Sequence, residues 1–594
     1  MKEITLLIVG LLFGSTLLAQ TWPHFETPLE REYAERMGFE PHNSRGITTP
    51  PEYDNLRAAA EWEEIEALTI AWEGFECILK QITAAAVSEC KVIIFTESPS
   101  STSNYLSGSA CGGPVSLDNV EIVDVDLNSI WIRDYGANTV YGSWNDDRIL
   151  VDWIYNRNRP DDDVIADELG DHMDIDVYNT TEEPYDLMNT GGNYMSDGFG
   201  LAFESELIEE ENDGGSTWWT DYPDHTLEEI EDILGEFMGI ETLVTMPTLP
   251  YDGIHHIDMH MKLLDESTLL MSEYPDGVAD GPQIETNLDY VLSNYTTKWG
   301  TPFDVIRIPS PPESNYGYPD VGGYYLTYSN AVFVNNKVLL PTYYEEYDTT
   351  AMRIWEDALP GYEIVGIDCD SGPSNIISLS GAIHCITHSV GVEDPLIISH
   401  LPLNDTENTT DPYTVEGYLS HRSGIESASL FYSTSPDGPW TEVVMTDTGN
   451  GEDFTADIPA QPYGTDVYYY IHGEANSGKM GNRPMPAPEG WWTFHVGDVI
   501  INGIAEHDLG GFSPIYPNPA SAITCIPVLL KSESQARVVL RNVLGATIEV
   551  IHDGALPQGE SKLFFDASAL SSGAYVVTLE LENGFSSSQN VMVK

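Results

Sequence analysis

Between about residue 47 and residue 392 the chain alternates short apolar runs with stretches of helical periodicity. Val92-Ile93-Ile94-Phe95 and Val120-Glu121-Ile122-Val123 read as strands. Leu227 to Met238 carries apolar residues at helical spacing, and Thr226 with Glu229 forms a capped start. Repeated alternation of this kind predicts an α/β architecture. From about residue 396 to 497 the pattern changes to short strands separated by turn clusters such as Ser433-Thr434-Ser435-Pro436-Asp437-Gly438-Pro439-Trp440. Val467-Tyr468-Tyr469-Tyr470-Ile471 follows a Tyr463-Gly464 turn and reads as a strand. Pro484, Pro486 and Pro488 ahead of Trp491-Trp492 mark an edge strand. Residues 511–594 read as a final β unit.

At the other end, Ile4 to Leu18 is apolar, follows Lys2, and is too short to span a bilayer comfortably. Residues 1–20 therefore read as a secretory signal cleaved near Ala19-Gln20. Residues 21–46 are polar and end Asn43-Ser44-Arg45-Gly46, which fits a pro-segment clipped after Arg45 or a simple N-terminal arm. No other apolar run is long enough for a transmembrane helix in the mature protein.

Composition narrows the partners. A length of 594 residues suggests roughly three or four domains. A hydrophobic content of 41%, with 13 Trp and 32 Tyr, is enough for packed cores. The 96 acids against 24 bases give a net charge of -72, which argues against nucleic acid as a partner. The acidity keeps the protein soluble, and it also suits cationic substrates. The six Cys show no CxxC spacing, so a structural zinc site is not expected. Cys77, Cys90 and Cys525 lie in apolar stretches and read as buried small hydrophobes. A disulfide involving Cys111 or Cys369 stays open.

Four segments carry candidate chemistry: Trp131-Ile132-Arg133-Asp134, Gly191-Gly192-Asn193, His256-Ile257-Asp258 and Gly381-Ala382-Ile383-His384-Cys385-Ile386-Thr387-His388. Cys385 is a candidate nucleophile once deprotonated, although a lone Cys is as readily a buried residue. Asp134 follows an apolar run at an expected strand end, where a carboxylate reaches substrate or caps a turn. On an extended strand, His256 and Asp258 would share a face, an acid/base beside an anchoring carboxylate. His255 and His260 read as bystanders, and the His-rich stretch leaves a metal site as a weaker alternative. Asp134 and Asp258 together would grip a planar guanidinium and present its carbon to Cys385. His256 would protonate the departing ammonia and then deprotonate water. This chemistry needs no metal and no organic cofactor. The wide spacing of the segments suggests that each comes from one of several repeated modules.

These residues resemble the guanidine-modifying superfamily, in the branch that joins agmatine deiminases to the Porphyromonas-type peptidylarginine deiminase. The resemblance covers roughly residues 50–392 and includes Trp62-Glu63, Thr69-Ile70-Ala71-Trp72, Asp197-Gly198 and Ile383-His384-Cys385-Ile386-Thr387 besides the segments above. It implies a five-module pseudo-symmetric α/β propeller over residues 47–392, with Cys385 as nucleophile, His256 as acid/base, and Asp134 and Asp258 as guanidinium ligands. It also implies that Arg157 and Arg159, in Tyr155-Asn156-Arg157-Asn158-Arg159-Pro160, clamp a peptide C-terminal carboxylate; ion pairing with Asp161, Asp162 or Asp163 is the plainer alternative. Asn330 matches a substrate-contacting Asn, and Trp131 either packs on the stem of the substrate arginine or belongs to the core. Agmatine deiminases usually carry several Gly before the Ile-His-Cys triplet, whereas this chain has Leu379-Ser380-Gly381-Ala382.

Residues 396–497 resemble an immunoglobulin-like β-sandwich. Residues 511–594 resemble the C-terminal sorting domain of type IX secretion, through Ser513-Pro514-Ile515-Tyr516-Pro517-Asn518-Pro519-Ala520, Arg541-Asn542-Val543-Leu544-Gly545 and Ser572-Gly573-Ala574-Tyr575-Val576-Val577. That resemblance implies the type IX machinery as a partner and a secreted or cell-surface location. The expected activity is deimination of arginine, most simply C-terminal, in peptides or proteins. A secreted agmatine or free-arginine deiminase, an inactive surface adhesin and a secreted cysteine protease are the competing readings.

Overall fold

The structure is a computed structural model that describes residues 22–37, 45–315, 317–497 and, beyond these, 510–512, 515, 520, 523–530, 534–542, 547–571, 573–581 and 586–594. The expected signal over residues 1–20 lies outside the described residues, as do the Ser513-Pro514, Tyr516–Pro519, Val543–Gly545 and Ser572 parts of the sorting-domain motifs. The described residues fall into two compact units, those within 1–404 and 408–494, and those within 405–407 and 495–594.

Within the first unit one local pattern recurs in five small sheets. A short strand pairs antiparallel with a second, and a helix then returns the chain to lie parallel to that second strand. Asn138–Gly142, Asp147–Tyr155 and Val177–Thr180 form one such set, with helix Ile165–Met173 as the crossover. Met195–Ser196, Leu201–Ser205 and Thr242–Met246 form the next, crossed by Leu227–Met238. Met261–Leu263, Thr268–Glu273 and Asp304–Pro309 follow, crossed by Gly281–Asn294. Val332–Val334, Lys337–Thr342 and Glu363–Asp368 are crossed by Glu345–Ala358. In the remaining sheet, Ile65–Ala71 runs parallel to Lys91–Thr96 after helix Glu76–Ala86, and Lys91–Thr96 runs parallel to Val120–Asp124. Its antiparallel strand comes from the far end of the region: His388–Gly391 pairs with Ile65–Ala71. The first and last parts of the α/β region are thus joined by main-chain hydrogen bonds.

Local sequence explains the elements. The strands read at Val92 and Val120 form as Lys91–Thr96 and Val120–Asp124. Helix Leu227–Met238 has the expected capping box between Thr226 and Glu229, and Gly239 ends it with φ 71°. It buries Ile230, Ile233, Leu234, Phe237 and Met238. One reading of the cysteines needs correction: Cys77 is bonded to Cys111 instead of packing as a free thiol. The apolar run around Cys77 belongs to helix Glu76–Ala86, whose first turn leaves that side chain partly accessible. Cys90, Cys369 and Cys525 are free and buried.

Residues from Ile397 onward in this unit form two further sheets. One orders Ile397–Ser399, Tyr413–Ser420, Asp453–Ile458 and Thr446–Asp447; the other orders Thr441–Val444, Ile425–Ser433, Thr465–Ala475 and Met480–Arg483, with Trp492–Val496 also on Thr465–Ala475. Ion pairs Arg483–Glu266 (3.2 Å) and Lys479–Glu64 (2.6 Å) tie these sheets to the α/β region, and Arg422–Asp394 (2.7 Å) ties them to the connection that follows it. The second unit is also β-built, with Ser534–Asn542 central between Thr547–Leu556 and Gly573–Leu581.

Phe237 tests the helix-to-sheet packing. Phe237→Ala removes a fully buried ring and should cost about 3–5 kcal/mol in urea unfolding of this unit. Glu236→Ala, one exposed residue earlier, should leave the transition in place. Equal effects would show that this face is not packed as described.

Candidate active site

The chemical residues occupy one structural position, repeated. Asp134 lies just before Asn138–Gly142, Gly192 and Asn193 before Met195–Ser196, Asp258 before Met261–Leu263, Asn330 before Val332–Val334, and Cys385 before His388–Gly391. Each sits on the short connection that enters the antiparallel strand of a module. Asp134 is in a single helical turn, Ile132–Tyr135, and not at a strand end. His256 is extended, but Ile257–Met259 is a 3₁₀ turn, so the same-face strand expected for His256 and Asp258 is replaced by a tight bend that buries both. His260 is buried too, not a surface residue.

Cys385 is fully buried, with its Sγ 3.6 Å from Asp258 Oδ2 and 3.2 Å from Asn330 Nδ2. Asn330 Oδ1 also accepts from the His384 amide at 3.1 Å, which aligns the side chain against the sulfur. Gly381 brings its backbone close: a Cβ there would lie 2.4 Å from the Trp131 ring and 3.2 Å from Cys385 Cβ. Burial pushes the Cys385 thiol well up, and the charges of Asp258 and Asp134 push the same way.

Asp258 is held by a chain of charges that the sequence did not announce. His384 lies between two carboxylates, Nδ1 at 2.7 Å from Asp258 Oδ2 and Nε2 at 2.5 Å from Glu61 Oε1. Glu61 also meets Arg133 at 3.2 Å and Lys262. Burial alone would raise the Asp258 carboxyl, but the hydrogen bond and charge of His384 outweigh it and hold the carboxyl below its usual range. Its Oδ1 is buried and has no hydrogen-bond partner among the described residues.

Asp134 is fully buried as well. Its Oδ1 accepts from the Gly192 amide at 3.3 Å and lies 3.7 Å from His256 Nδ1. A Cβ at Gly192 would fall 2.4 Å from that nitrogen, so the double glycine is what allows this approach. Its Oδ2 is 2.5 Å from His24 Nε2, a contact the sequence did not predict. Burial would raise the Asp134 carboxyl, but His24 and His256 bring it far below the ordinary value. Burial depresses His256 to about 4 against the opposing pull of Asp134, so it is a neutral imidazole at neutral pH.

The remaining candidates are close by. Trp131 is buried and stacks on His24, with ring centres 4.4 Å apart. Arg157 and Arg159 do not pair with Asp161, Asp162 or Asp163; Asp161 and Asp162 are taken by the Asn128–Ser129 turn. Arg157 Nε reaches the His24 carbonyl at 3.4 Å, and Arg159 binds the Pro23 carbonyl at 2.8 Å and Glu30 at 2.7 Å. His24, Asp134 and His256 are the one group among the described residues whose metal-ligating atoms all lie within 4.8 Å of one another; His24 and Asp134 are hydrogen-bonded directly.

Residues 57–390 match the family model of the Porphyromonas-type peptidyl-arginine deiminase, and residues 514–594 match that of the secretion system C-terminal sorting domain. The chain belongs to the Porphyromonas-type peptidyl-arginine deiminase family. It is 24% identical over 367 residues to a provisionally named agmatine deiminase of Legionella pneumophila, covering 57% of this chain and 96% of the relative. A second protein of that name, from Vibrio parahaemolyticus, is 25% identical over 303 residues, 46% of this chain and 78% of the relative. A solved structure, also provisionally named an agmatine deiminase, shares 20% identity and a TM-score of 0.50, covering 59% of this chain and 100% of that one; it shows the fold. The deiminase is thus a hydrolase-type enzyme of guanidino C–N bonds. Its sorting domain directs it to the outside of the cell or to the cell surface. No helix among the described residues is long and apolar enough to cross a membrane.

The protonation of this deiminase's central histidine is directly measurable. By histidine NMR, His256 should titrate near 4 instead of near its ordinary 6.5. Asp134→Asn removes the anion that favours the imidazolium and should depress it further. Titration near the ordinary value in the intact protein would show that the ring is not buried in this way.

Proposed function

We propose that the protein is an exported deiminase of arginine side chains in peptides, converting the guanidinium to a ureido group and ammonia through a covalent intermediate on Cys385. The observation that carries this reading is the convergence of Cys385, Asp134 and the pair His256 and Asp258 from three modules into one buried site. We also read the five repeated sheets as the blades of a propeller and the two sheets after residue 396 as the immunoglobulin-like domain. The domain limits 47–392, 396–497 and 511–594 follow from that reading.

The geometry supports the following steps. A guanidinium entering between the two acids would take the free Asp258 Oδ1 and the Asp134 carboxylate. Burial and the two anions hold the thiol protonated; the positive charge of the substrate would offset the anions, so Cys385 would pass its proton to the neutral His256 as substrate arrives. The thiolate would attack the central carbon, forming a C–S bond and a tetrahedral adduct whose nitrogens stay bound to the carboxylates. One C–N bond would then break, and ammonia would leave with a proton from His256. His256 would next take a proton from water, the hydroxide oxygen would add to the carbon, and the C–S bond would break as the hydroxyl proton leaves to solvent, giving the ureido product and a thiolate that His256 reprotonates.

The choice between peptide and agmatine rests on Arg157 and Arg159. Agmatine has no carbonyl or carboxylate for them to bind, whereas a peptide offers both. The names of the relatives favour agmatine, so both substrates need testing. We expect ureido product from arginine-containing peptides, assayed on the intact chain and on chain cleaved ahead of residue 47, and none after Cys385→Ala. Arg157→Ala should cost one hydrogen bond from a charged donor, about ten- to hundredfold in kcat/KM on peptide, with agmatine turnover unchanged. Product from agmatine alone would move the enzyme to the other substrate class. No product from any guanidino compound would reject the reading.

A further inference from the structure

The site is already occupied by its own chain. The Trp22 carbonyl accepts from Trp131 Nε1 at 3.0 Å, the Pro23 carbonyl from Arg159 at 2.8 Å and the His24 carbonyl from Arg157 Nε at 3.4 Å. The His24 amide donates to the Leu379 carbonyl at 2.9 Å. The His24 ring lies almost flat on Trp131, with 13° between the planes. Its Nδ1 faces the Ser380 carbonyl at 3.0 Å, which can only accept, and its Nε2 faces the Asp134 carboxylate at 2.5 Å. Both ring nitrogens therefore face oxygen acceptors. The result is a flat ring with two polar nitrogens, stacked on an indole, with one nitrogen aimed at Asp134. A guanidinium would present a similar flat, polar shape there.

The residues that follow fasten this segment down. Helix Pro28–Met37 places Glu30 on Arg159 at 2.7 Å, and Glu26 accepts from Trp218 Nε1 at 2.7 Å. Trp22, His24, Glu30 and Ala34 are all buried. None of these contacts follows from the family's active-site residues, because every one joins the site to residues before Arg45.

We propose that Trp22–Met37 is an intramolecular pseudosubstrate, which holds His24 where a substrate arginine enters and keeps the site closed until the segment is displaced. The inference rests on the deiminase reading and sharpens its substrate class. In this register the site takes a peptide strand and reads the main-chain carbonyls of the target residue and of the residue before it. Phe25 follows His24, so the target need not be the end of a chain. Arg157 and Arg159 then serve carbonyls and an acidic side chain, not only a terminal carboxylate. The histidine is a ligand and not a substrate, because an imidazole offers Cys385 no amidino carbon with a nitrogen to lose.

A tethered ligand acts at a local concentration of about millimolar, so an intrinsic Kd of about 10 µM would keep roughly 99% of molecules closed and lower turnover about a hundredfold. The test writes a site for a sequence-specific protease into positions 38–44 of the full chain. Two rates are compared before and after cleavage and gel filtration. One is alkylation of Cys385 by a haloacetamidine, mapped by peptide mass spectrometry, which needs no turnover. The other is ureido formation from a peptide with an internal arginine. Both should rise about ten- to hundredfold on cleavage. In the uncut chain, His24→Ala should raise alkylation partway. A synthetic peptide of residues 22–37 should inhibit the cleaved enzyme competitively, and the same peptide with His24→Ala should not. Equal alkylation before and after cleavage would overturn the proposal. Faster alkylation without ureido product from any guanidino compound would keep the closure and reject the deiminase reading instead.

Discussion

Two carboxylates buried in one small site demand cations. A charge taken out of water without a partner costs several kcal/mol, which a protein tolerates only with close compensation. Asp258 has a built-in partner in His384, which is itself braced by Glu61, Arg133 and Lys262. Asp134 has the neutral imidazole of His256, a backbone amide and the ring of His24. The two acids are therefore not equivalent. One is balanced within the α/β region and keeps an unpartnered oxygen near Cys385; the other is balanced by a group on the N-terminal segment. The electrostatic demand that suits the site to a guanidinium also makes the site bind its own N-terminal segment.

The repeat explains why residues so far apart in sequence can meet. Every module enters its antiparallel strand through a short connection, and the reactive side chains occupy those connections. Closure by His388–Gly391 on Ile65–Ala71 matters for the same reason. It fixes the connection carrying Cys385 against the start of the region, where Glu61 reaches His384 across 323 residues of sequence. A site assembled this way is held by five sheets at once, so no single loop sets its geometry.

The legible part of the molecule is the part governed by local rules. Periodicity located Lys91–Thr96, Val120–Asp124 and Leu227–Met238, and the Thr226–Glu229 box fixed a helix start to the residue. The candidate residues Asp134, His256, Asp258, Asn330 and Cys385 do come together. Their local conformations were less legible, because alternation predicts strands and cannot see that His256 leads into a 3₁₀ turn or that Asp134 sits in one turn of helix. Glu61 and His24 were not legible at all. Each acts through a contact more than a hundred positions away, and neither lies in a pattern that distinguishes it from other polar residues. The one available signal was scarcity. Trp22-Pro23-His24-Phe25 places two aromatics and a histidine in a polar segment that a mere linker would not need.

Scarcity also bears on selectivity. With 24 bases against 96 acids, the surface draws cations of every kind and distinguishes none of them. Discrimination has to come from the few cations that are placed inside. Arg57, Arg133, Arg159, Lys80 and Lys262 are all buried, and each is matched to named acceptors. Arg159 differs from the other four in what it faces. Its guanidinium bridges a main-chain carbonyl and a carboxylate that both belong to the N-terminal segment, while Tyr155 and Ser129 steady it from the enzyme side. With that segment displaced, the buried cation would keep Tyr155 and Ser129 but lose the Pro23 carbonyl and the Glu30 carboxylate. A small amine substrate would bring it another positive charge, whereas a peptide brings carbonyls and, in the right sequence, an acid. On the proposed reading, the long-range field would gather cationic substrates and the local arginines would favour those that come with a peptide backbone.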